Sequence, residues 1–361
     1  MKVVEYNNAY SKVNYVKIIA RIFIVVSSIL LNTTLRGQQN NNPEYLAWTQ
    51  VLSTADSLMI TDSTAPVRFS ITDRFLGEPG IKRRDPSDVI YHNGNYYVWY
   101  SKVHEGDVGY PGGWSARVWY ASSPDGHNWT EKGIAIDIGT KDDWDGYGVY
   151  TPNILVYEDK FYLAYTAIKP PFIFEYSMPS IGMAIAYSPD GPWEKLENNP
   201  IIPPGEGPTA PDGFLADDAS FVIHEGKVLL YYKGCPYKKD SDGKKIREGN
   251  TFLMVASATN PEGPYAKYPI PLHRGHESLV WKDENGFGSF NMYWWREQPK
   301  YFRSKDGFNF IAICPLPGFN GNDFMIRAAG VFRANFNENR PCWGICMSGQ
   351  GLARFEIEWS E

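Results

Sequence analysis

The sequence is poor in cysteine and has no excess of positive charge, and each shortage excludes a class of protein. Only four cysteines occur in 361 residues. The pair Cys342 and Cys346 has no second Cys or His pair at zinc-site spacing, so a structural zinc site is not expected. Lys and Arg number 35 against 41 Asp and Glu, a formal net charge of −6. Because these cations form no basic block, nucleic acid is not expected as a partner.

Long hydrophobic runs are also missing. The longest apolar stretch, residues 22–31, follows Lys12, Lys17 and Arg21 and is too short to span a bilayer. It suits the hydrophobic core of a signal peptide over residues 1–38, cleaved near Gly37. No cysteine follows it, so a lipoprotein is not expected. We therefore predict an exported protein, periplasmic or secreted, with no membrane partner after cleavage; an uncleaved anchor is the alternative.

Cysteine pairing cannot be deduced from spacing. Cys235, Cys314, Cys342 and Cys346 would be free to form disulfides in an exported protein, but buried free thiols are the commoner interpretation.

Residues 39–75 differ from the rest of the chain and are predicted to form an N-terminal helical extension. Tyr45, Trp48 and Leu52 recur at helical spacing after the start signal Asn42-Pro43. An isolated amphipathic helix must bury its apolar face. We expect it to pack either on its own domain or on a second protomer.

Residues 76–361 contain an internal repeat, the strongest pattern in the chain. Each copy has a polar residue, an apolar strand, a polar turn and a second apolar strand, and the copies start at Asp85, Thr151, Asp218 and, more weakly, Glu277. The steps are 66, 67 and 59 residues. A fifth start is expected near Arg327. Repetition at such a period fixes the architecture before any local prediction does.

A second hairpin follows each copy. Its turns are marked by Ser123-Pro124-Asp125-Gly126, by Ser188-Pro189-Asp190-Gly191 and by similar sequences in the later copies. Two hairpins per repeat make a four-stranded blade, so the sequence predicts an all-β, five-bladed β-propeller behind the helical extension.

The repeat phase predicts where the functional residues lie. The first strand of every propeller blade lines the central channel, so Asp85, Thr151, Asp218 and Glu277 should converge on one pocket. Three of the four are acids. Capping or solvated turn acids are the alternative for any one of them alone.

The ordered set of Arg84-Asp85-Pro86-Ser87, Asp217-Asp218 and Gly275-His276-Glu277 resembles glycoside hydrolase family 117. The resemblance covers roughly residues 40–361. It implies a five-bladed propeller like those of families 43 and 32. It also implies exo-acting removal of 3,6-anhydro-L-galactose from the non-reducing end of neoagaro-oligosaccharides, which are fragments of red-algal agar.

Roles follow from that resemblance and from the needs of glycoside cleavage, in which an acid protonates the leaving oxygen and a carboxylate activates water. Similarity to the family implies inversion, with Asp85 as general base. The second carboxylate is Asp218 or Asp217; alternation along a strand lets only one point inward, and the repeat favours Asp218. Either Glu277 or His276 is the acid, and the sequence does not choose between them.

Contacts to substrate are expected from five further residues. Thr151 and Asn153 occupy the second blade's channel position and would bind sugar hydroxyls. Trp144 and Tyr150 could stack on a sugar face, and Arg327 could bind a ring oxygen or a carboxylate. An ordinary propeller contact is the alternative for each.

The departures from the family pattern bear on assembly and cofactor. Family members active on neoagarobiose carry Ser-x-Ala-x-x-Arg in the N-terminal helix. Here Ser53 and Ala55 are kept but Leu58 replaces the arginine, so a homodimer through this helix is allowed but not required. Ala219 follows Asp218 where a proline is usual. A divalent cation near the central channel is allowed for this fold, but no ligand set stands out.

Three functions stay open at this point. The first is the exo-glycosidase on red-algal galactan oligosaccharides. The second is a glycosidase on another galactan or on an α-L-arabinofuranoside. The third is a carbohydrate-binding propeller without catalysis, which the converging acids disfavour because like charges repel one another.

Overall fold

The computed structural model describes residues 67–107, 112–207, 209–292, 299–316, 329–333 and 340–360. Every regular element in these ranges is a β-strand, as predicted for the repeat region. None of these residues forms a helix long and apolar enough to cross a membrane. The predicted signal peptide and the amphipathic helix around Trp48 lie outside the described residues, as does Arg327.

The strands form five antiparallel blades. The chain begins with β1 (Val67–Phe75), which belongs to the last blade. Blade 1 contains β2 (Ile81–Arg84), β3 (Ile90–His92), β4 (Asn95–His104), β5 (Arg117–Ser123) and β6 (Thr130–Ile136). Blade 2 contains β7 (Gly148–Tyr157), β8 (Lys160–Ile168), β9 (Ser180–Ala186) and β10 (Glu194–Lys195).

Blade 3 is accompanied by an additional hairpin. It contains β11 (Leu215–His224), β12 (Lys227–Cys235), β15 (Phe252–Ala258), β16 (Ala266–Lys267) and β17 (His273–Arg274), and a separate hairpin pairs β13 (Tyr237–Lys239) with β14 (Lys245–Arg247). Blade 4 contains β18 (Glu277–Asp283), β19 (Gly286–Met292), β20 (Lys300–Ser304) and β21 (Ile311–Pro315). Blade 5 contains β22 (Ala329–Val331), β23 (Trp343–Ser348), β24 (Gly351–Trp359) and β1.

Blade 5 joins the two ends of the described chain. β1 pairs antiparallel with β24, from Val67 opposite Trp359 to Phe75 opposite Leu352. Val67–Phe75 alternates buried or half-buried with more exposed positions, as expected of an outer strand with one packed face. Residues 67–75, predicted as part of the helical extension, therefore belong to the propeller, because they supply the outermost strand of its last blade.

The core lies between neighbouring blades. Trp281 and Phe290 of blade 4 pack with Phe355 of blade 5, and Tyr231 of blade 3 packs with Phe287 of blade 4. These aromatic side chains of the repeat are thus used for blade-on-blade packing, where large rings bury the most area. Cys235, Cys314 and Cys346 are buried free thiols, and Cys342 is exposed and also free.

Near the propeller axis, a buried ion pair joins several blades. Arg333, which follows β22, donates from Nε to Asp88 Oδ2 at 2.9 Å, and from Nη2 to the carbonyl oxygen of Phe221 at 3.2 Å. The same nitrogen also donates to the carbonyl oxygen of Val280. One guanidinium therefore links blades 1, 3, 4 and 5.

Candidate active site

One pocket collects the inner strands of four blades. Its empty space, including open solvent at the mouth, is about 400 Å³. The following residues line it: Asp85, Pro86, Thr151, Pro152, Asn153, Asp218, Ala219, Glu277, Ser278 and Leu279. The four residues at which the repeat copies start thus lie in one pocket, as the repeat predicts.

Three of those residues share an unusual backbone conformation. Asp85, Thr151 and Asp218 have positive φ angles of 52°, 43° and 52°. These values lie in the left-handed region that residues other than glycine rarely adopt. In blades 2 and 3 the register slips at this point: between Tyr150 and Asn153 in β7, and between Asp217 and Ser220 in β11. Each slip is a β-bulge, which re-aims a side chain.

In blade 1 the inner strand is interrupted over a longer stretch. It is divided into β2 and β3, and Asp85 lies between them. Glu277 reaches the pocket differently. It is the first residue of β18 and pairs regularly with Met292, so no bulge is needed. Among these four residues, the left-handed conformation is therefore confined to Asp85, Thr151 and Asp218.

Asp85 is fixed through one of its two carboxylate oxygens. Arg84 Nε donates to Oδ2 at 2.6 Å, and Ser101 Oγ donates to the same atom at 3.3 Å. Oδ1 is buried and has no hydrogen-bond partner within the described part of the chain. A buried acceptor without a partner is costly, and here it belongs to a side chain that lines the pocket. Asp85 therefore presents one oriented oxygen to a ligand or a water molecule.

Arg84 supplies a permanent positive charge beside the acids. Burial disfavours its charged form, but the carboxylates of Asp85, Glu277 and Asp218 outweigh burial and raise its pKa. Its Nη1 also donates to the carbonyl oxygen of Gly112. The side chain is thus held between the pocket and the loop that follows β4.

Asp217 and Asp218 point to different places, although they are neighbours. Asp217 Oδ1 lies 2.6 Å from Thr166 Oγ1 and 3.0 Å from Thr151 Oγ1, both in blade 2, and it accepts from the Asp218 N–H. Asp217 does not line the pocket, whereas Asp218 does. Of the two alternatives left open above, the structure places Asp218 in the pocket and Asp217 in the contact between blades.

Lys233 lies between the two carboxylates. Its Nζ is 3.0 Å from Asp217 Oδ2 and also contacts Asp218 Oδ2. Burial opposes ionisation of Asp217, but Lys233 and the threonine hydroxyls outweigh burial and lower its pKa to about 2. Burial raises the pKa of Asp218 well above its ordinary value, and the carboxylates of Asp217 and Glu277 add to this against the charge of Lys233. The pKa values of these two adjacent acids are thus shifted in opposite directions by their surroundings.

Glu277 lines the pocket, whereas His276 is not part of its lining. His276 Nε2 lies 3.8 Å from Glu277 Oε1, close enough for the imidazole to influence this carboxylate. The geometry therefore brings Glu277 to the pocket and leaves His276 beside it.

The structure brings two of the predicted substrate contacts to the pocket and leaves two others outside its lining. Thr151 and Asn153 line the pocket, and Asn153 Oδ1 is buried without a hydrogen-bond partner among the residues described. Tyr150 is only 5% exposed and packs with Val103 and Ile168, so it has no ring face free for a sugar. Trp144 stacks on Tyr165, with ring centroids 5.9 Å apart, and lies outside the pocket lining.

Two charged residues of the site were missed from the sequence. Arg84 immediately precedes Asp85 and was visible as part of the motif. Lys233 could have been found only from strand register, because it pairs with Asp217 across β11 and β12. Neither has a motif of its own, and both contacts depend on tertiary structure.

No metal site accompanies the acids in the parts of the chain that the structure describes. There, no three His, Cys, Asp or Glu side chains are grouped as metal ligands.

Comparisons with known proteins point to one class of enzyme. Residues 78–244 match the model of glycosyl hydrolases family 43. The chain is 27% identical to a family 117 glycoside hydrolase produced by the marine bacterium Zobellia galactanivorans, with a TM-score of 0.67, and the match covers 81% of this chain and 90% of the other.

Two more distant relatives agree in fold or in sequence. A family 32 β-fructofuranosidase of Bombyx mori has a TM-score of 0.55 at 12% identity, covering 85% of this chain and 66% of that one, which shows the fold alone. A probable sucrose-6-phosphate hydrolase of Psychromonas ingrahamii is 29% identical over 142 residues, or 37% of this chain. The chain spans about a quarter of that relative's length, since the match covers 24% of it.

The matches support a glycosidase. They relate the five-bladed propeller to glycoside hydrolases of families 117, 43 and 32, and the pocket contains carboxyl groups of the kind that glycoside cleavage uses.

Proposed function

We propose that the protein is an exo-acting, inverting glycoside hydrolase that removes a non-reducing-end 3,6-anhydro-L-galactose, in α-1,3 linkage, from agar-derived neoagaro-oligosaccharides. The observation that carries this proposal is the pocket in which Asp85, Asp218 and Glu277 meet beside two neutral polar residues, Thr151 and Asn153. The likeness to the Zobellia galactanivorans enzyme over most of both chains supports the choice of substrate class.

Asp85 is assigned as the general base. Its Oδ2 is held by Arg84 and Ser101, so Oδ1 is the oxygen free to accept a proton from water. Water then attacks the anomeric carbon as the glycosidic bond breaks, the proton passes to Asp85, and the leaving oxygen receives a proton from the acid. A single displacement of this kind inverts the anomeric configuration.

The acid is assigned to Glu277, which lines the pocket. Burial and the carboxylates of Asp217 and Glu277 raise the pKa of Asp218, so this pocket disfavours ionising Asp218 and Glu277 together, and a retained proton is what an acid catalyst needs. His276, 3.8 Å from Glu277, is the alternative donor. Comparing pH–rate profiles of the wild type and His276→Ala separates them: an unchanged profile removes His276 from the mechanism.

A glycosidase acting on another galactan or on an α-L-arabinofuranoside is the second candidate. The match to the family 43 model over residues 78–244 favours it. A binding propeller without catalysis is less well supported, because burying several carboxylates that repel one another costs free energy that sugar binding alone does not require.

The first test is turnover of neoagarobiose and neoagarotetraose by the wild type and Asp85→Asn, following free 3,6-anhydro-L-galactose by mass spectrometry. We expect release by the wild type and a loss of about 10²–10⁴-fold in Asp85→Asn, the usual contribution of a general base. NMR of the first-formed anomer reports inversion.

Asp159→Asn is the matched control. Asp159 has a similar left-handed conformation, with φ 62°, but it is exposed in the turn between β7 and β8, so activity should not change. Full activity in Asp85→Asn would remove Asp85 as the base. Release from arabinosides alone would replace the first substrate class by the second.

Export, the homodimer through the N-terminal helix and the divalent cation stay predictions. Cell fractionation tests export, and light scattering tests the homodimer. Turnover before and after treatment with EDTA tests the cation.

A further inference from the structure

An aromatic surface stands on the same face of the propeller as the acidic pocket. β8 ends with Ile168 opposite Gly148, three residues before Thr151, and β12 ends with Cys235 opposite Leu215, three residues before Asp218. The connections that follow β8 and β12 therefore leave the blades at the pocket end. These connections lie beside the pocket, at the ends of blades 2 and 3.

We define the aromatic wall as Trp114, Tyr147, Phe172, Ile173, Phe174 and Tyr176. Phe172 stacks against Trp114 on one side and Tyr147 on the other, with ring centroids 5.5 and 5.1 Å apart and interplanar angles of 22°. Phe174 meets Trp114 edge-on at 5.3 Å. Stacked rings are already ordered before a ligand binds, so little side-chain conformational entropy is lost on binding.

The wall is continuous with the pocket. Trp114, Tyr147 and Phe172 pack on the apolar cluster that contains Tyr150, the residue next to Thr151. Gly112, two residues before Trp114, accepts a hydrogen bond from Arg84. The wall is therefore supported by the same side chains that position the pocket residues.

The far end of the wall is tied to blade 3. Tyr176 Oη donates to Asp240 Oδ2 at 3.0 Å, and the Lys244 ammonium lies 5.6 Å from the Tyr176 ring centroid. Arg247 of β14 lies 6.0 Å from the Phe174 ring. Aromatic faces thus stand among groups that can form hydrogen bonds, and the charges there are of both signs.

Ile173, Phe174 and Tyr176 are 47%, 46% and 40% exposed, an apolar surface that a soluble domain does not leave uncovered without a reason. We propose that the aromatic wall binds the sugar rings of an oligosaccharide beyond the linkage cleaved in the pocket. The occupant is a neutral pyranose chain, because its ring faces stack on aromatic side chains while its hydroxyls bond to mixed polar groups. This inference rests on the proposed function.

The test is calorimetric titration of Asp85→Asn, which binds without turnover, with neoagaro-oligosaccharides of two, four and six sugar units. The quantity measured is the gain in affinity from the disaccharide to the longer chains. In a second variant that also carries Phe174→Ala, this gain should fall about three- to tenfold, the value of one aromatic contact.

Tyr187→Ala in the same background is the control. Tyr187 is 78% exposed and follows β9 at the opposite end of blade 2, where Ala186 pairs with Phe161, so the length-dependent gain should persist. Phe174→Trp should retain the gain, which separates stacking from a change in folding. Equal affinity for all chain lengths, or equal effects of Phe174→Ala and Tyr187→Ala, would overturn the wall as a binding surface.

If no neoagaro-oligosaccharide binds, the proposed substrate is wrong, and the same titration is made with arabino- and galacto-oligosaccharides. A length-dependent gain that Phe174→Ala removes would then support the wall with another sugar chain. No binding of any of these oligosaccharides would overturn both proposals.

Discussion

At the scale of single residues, the adjacent acids Asp217 and Asp218 differ in their surroundings. Asp217 receives hydrogen bonds from the neighbouring blade and a lysine at 3.0 Å. Asp218 shares that lysine but faces the pocket and Glu277. Their pKa values therefore move in opposite directions, and the stability of variants should depend on pH with opposite signs.

Asp217→Asn should destabilise the fold near neutral pH, with an effect that disappears in acid. The folded pKa of Asp217, about 2, lies below the ordinary value of 3.8, so its contribution is present above about pH 4 and lost as the pH falls toward 2. The contribution is about 2 kcal/mol. Urea unfolding at pH 3, 5 and 8 measures it.

Asp218→Asn should behave in the opposite way. Its raised pKa means that the carboxyl stabilises the fold only at low pH, and that this contribution is lost as the pH rises through the folded pKa. At pH 8 the variant should unfold at the same or a higher urea concentration than the wild type, while its turnover falls. Equal losses of stability in the two variants would contradict this assignment.

At the scale of strands, β-bulges bring Thr151 and Asp218 to the pocket. Thr151 and Pro152 lie opposite Tyr165 in blade 2, and Asp218 and Ala219 lie opposite Tyr232 in blade 3. Blade 1 has Pro86 after its own left-handed residue, Asp85. The same local conformation thus accepts a proline in two blades and holds an alanine in the third.

Ala219→Pro should therefore stabilise the protein by about 0.4–1 kcal/mol, because proline restricts the unfolded chain where the native backbone already suits it. The urea midpoint of the variant measures the change. Ala219→Ser, which leaves the backbone unrestricted, should show no gain. A lower midpoint in Ala219→Pro would mean that the bulges of blades 2 and 3 differ in conformation.

At the scale of the whole molecule, two separate sets of contacts close the propeller. On the outside, β1 pairs with β24. Near the axis, Arg333 binds Asp88 and the carbonyl oxygens of Phe221 and Val280. Both closures join segments far apart in sequence, so they depend on all five blades being in place.

Arg333→Met should cost about 3–5 kcal/mol, because it leaves the Asp88 carboxylate buried without its charge partner. The double variant Asp88→Asn with Arg333→Met should recover part of this loss. Arg68→Met, at an exposed position of β1, is the control and should change little. Thermal and urea unfolding measure all three, and a loss that the double variant does not reduce would contradict the ion-pair explanation.

The five blades and the pocket residues Asp85, Thr151, Asp218 and Glu277 could be predicted from the sequence. The reason is physical: each blade is a local antiparallel unit with its own turn signals, and equivalent positions of a closed repeat must face the same axis. For the same reason the repeat favoured Asp218 over Asp217, and the structure places Asp218 in the pocket.

Only the tertiary structure decided the rest. Tyr150 is buried against Val103 and Ile168 and is not available to stack on a sugar, Lys233 joins two acids, and β1 completes the last blade. Burial, the environment of a charge and the pairing of distant strands depend on which surfaces meet when the propeller closes. Local pattern does not contain that information, because it specifies each blade but not its neighbours.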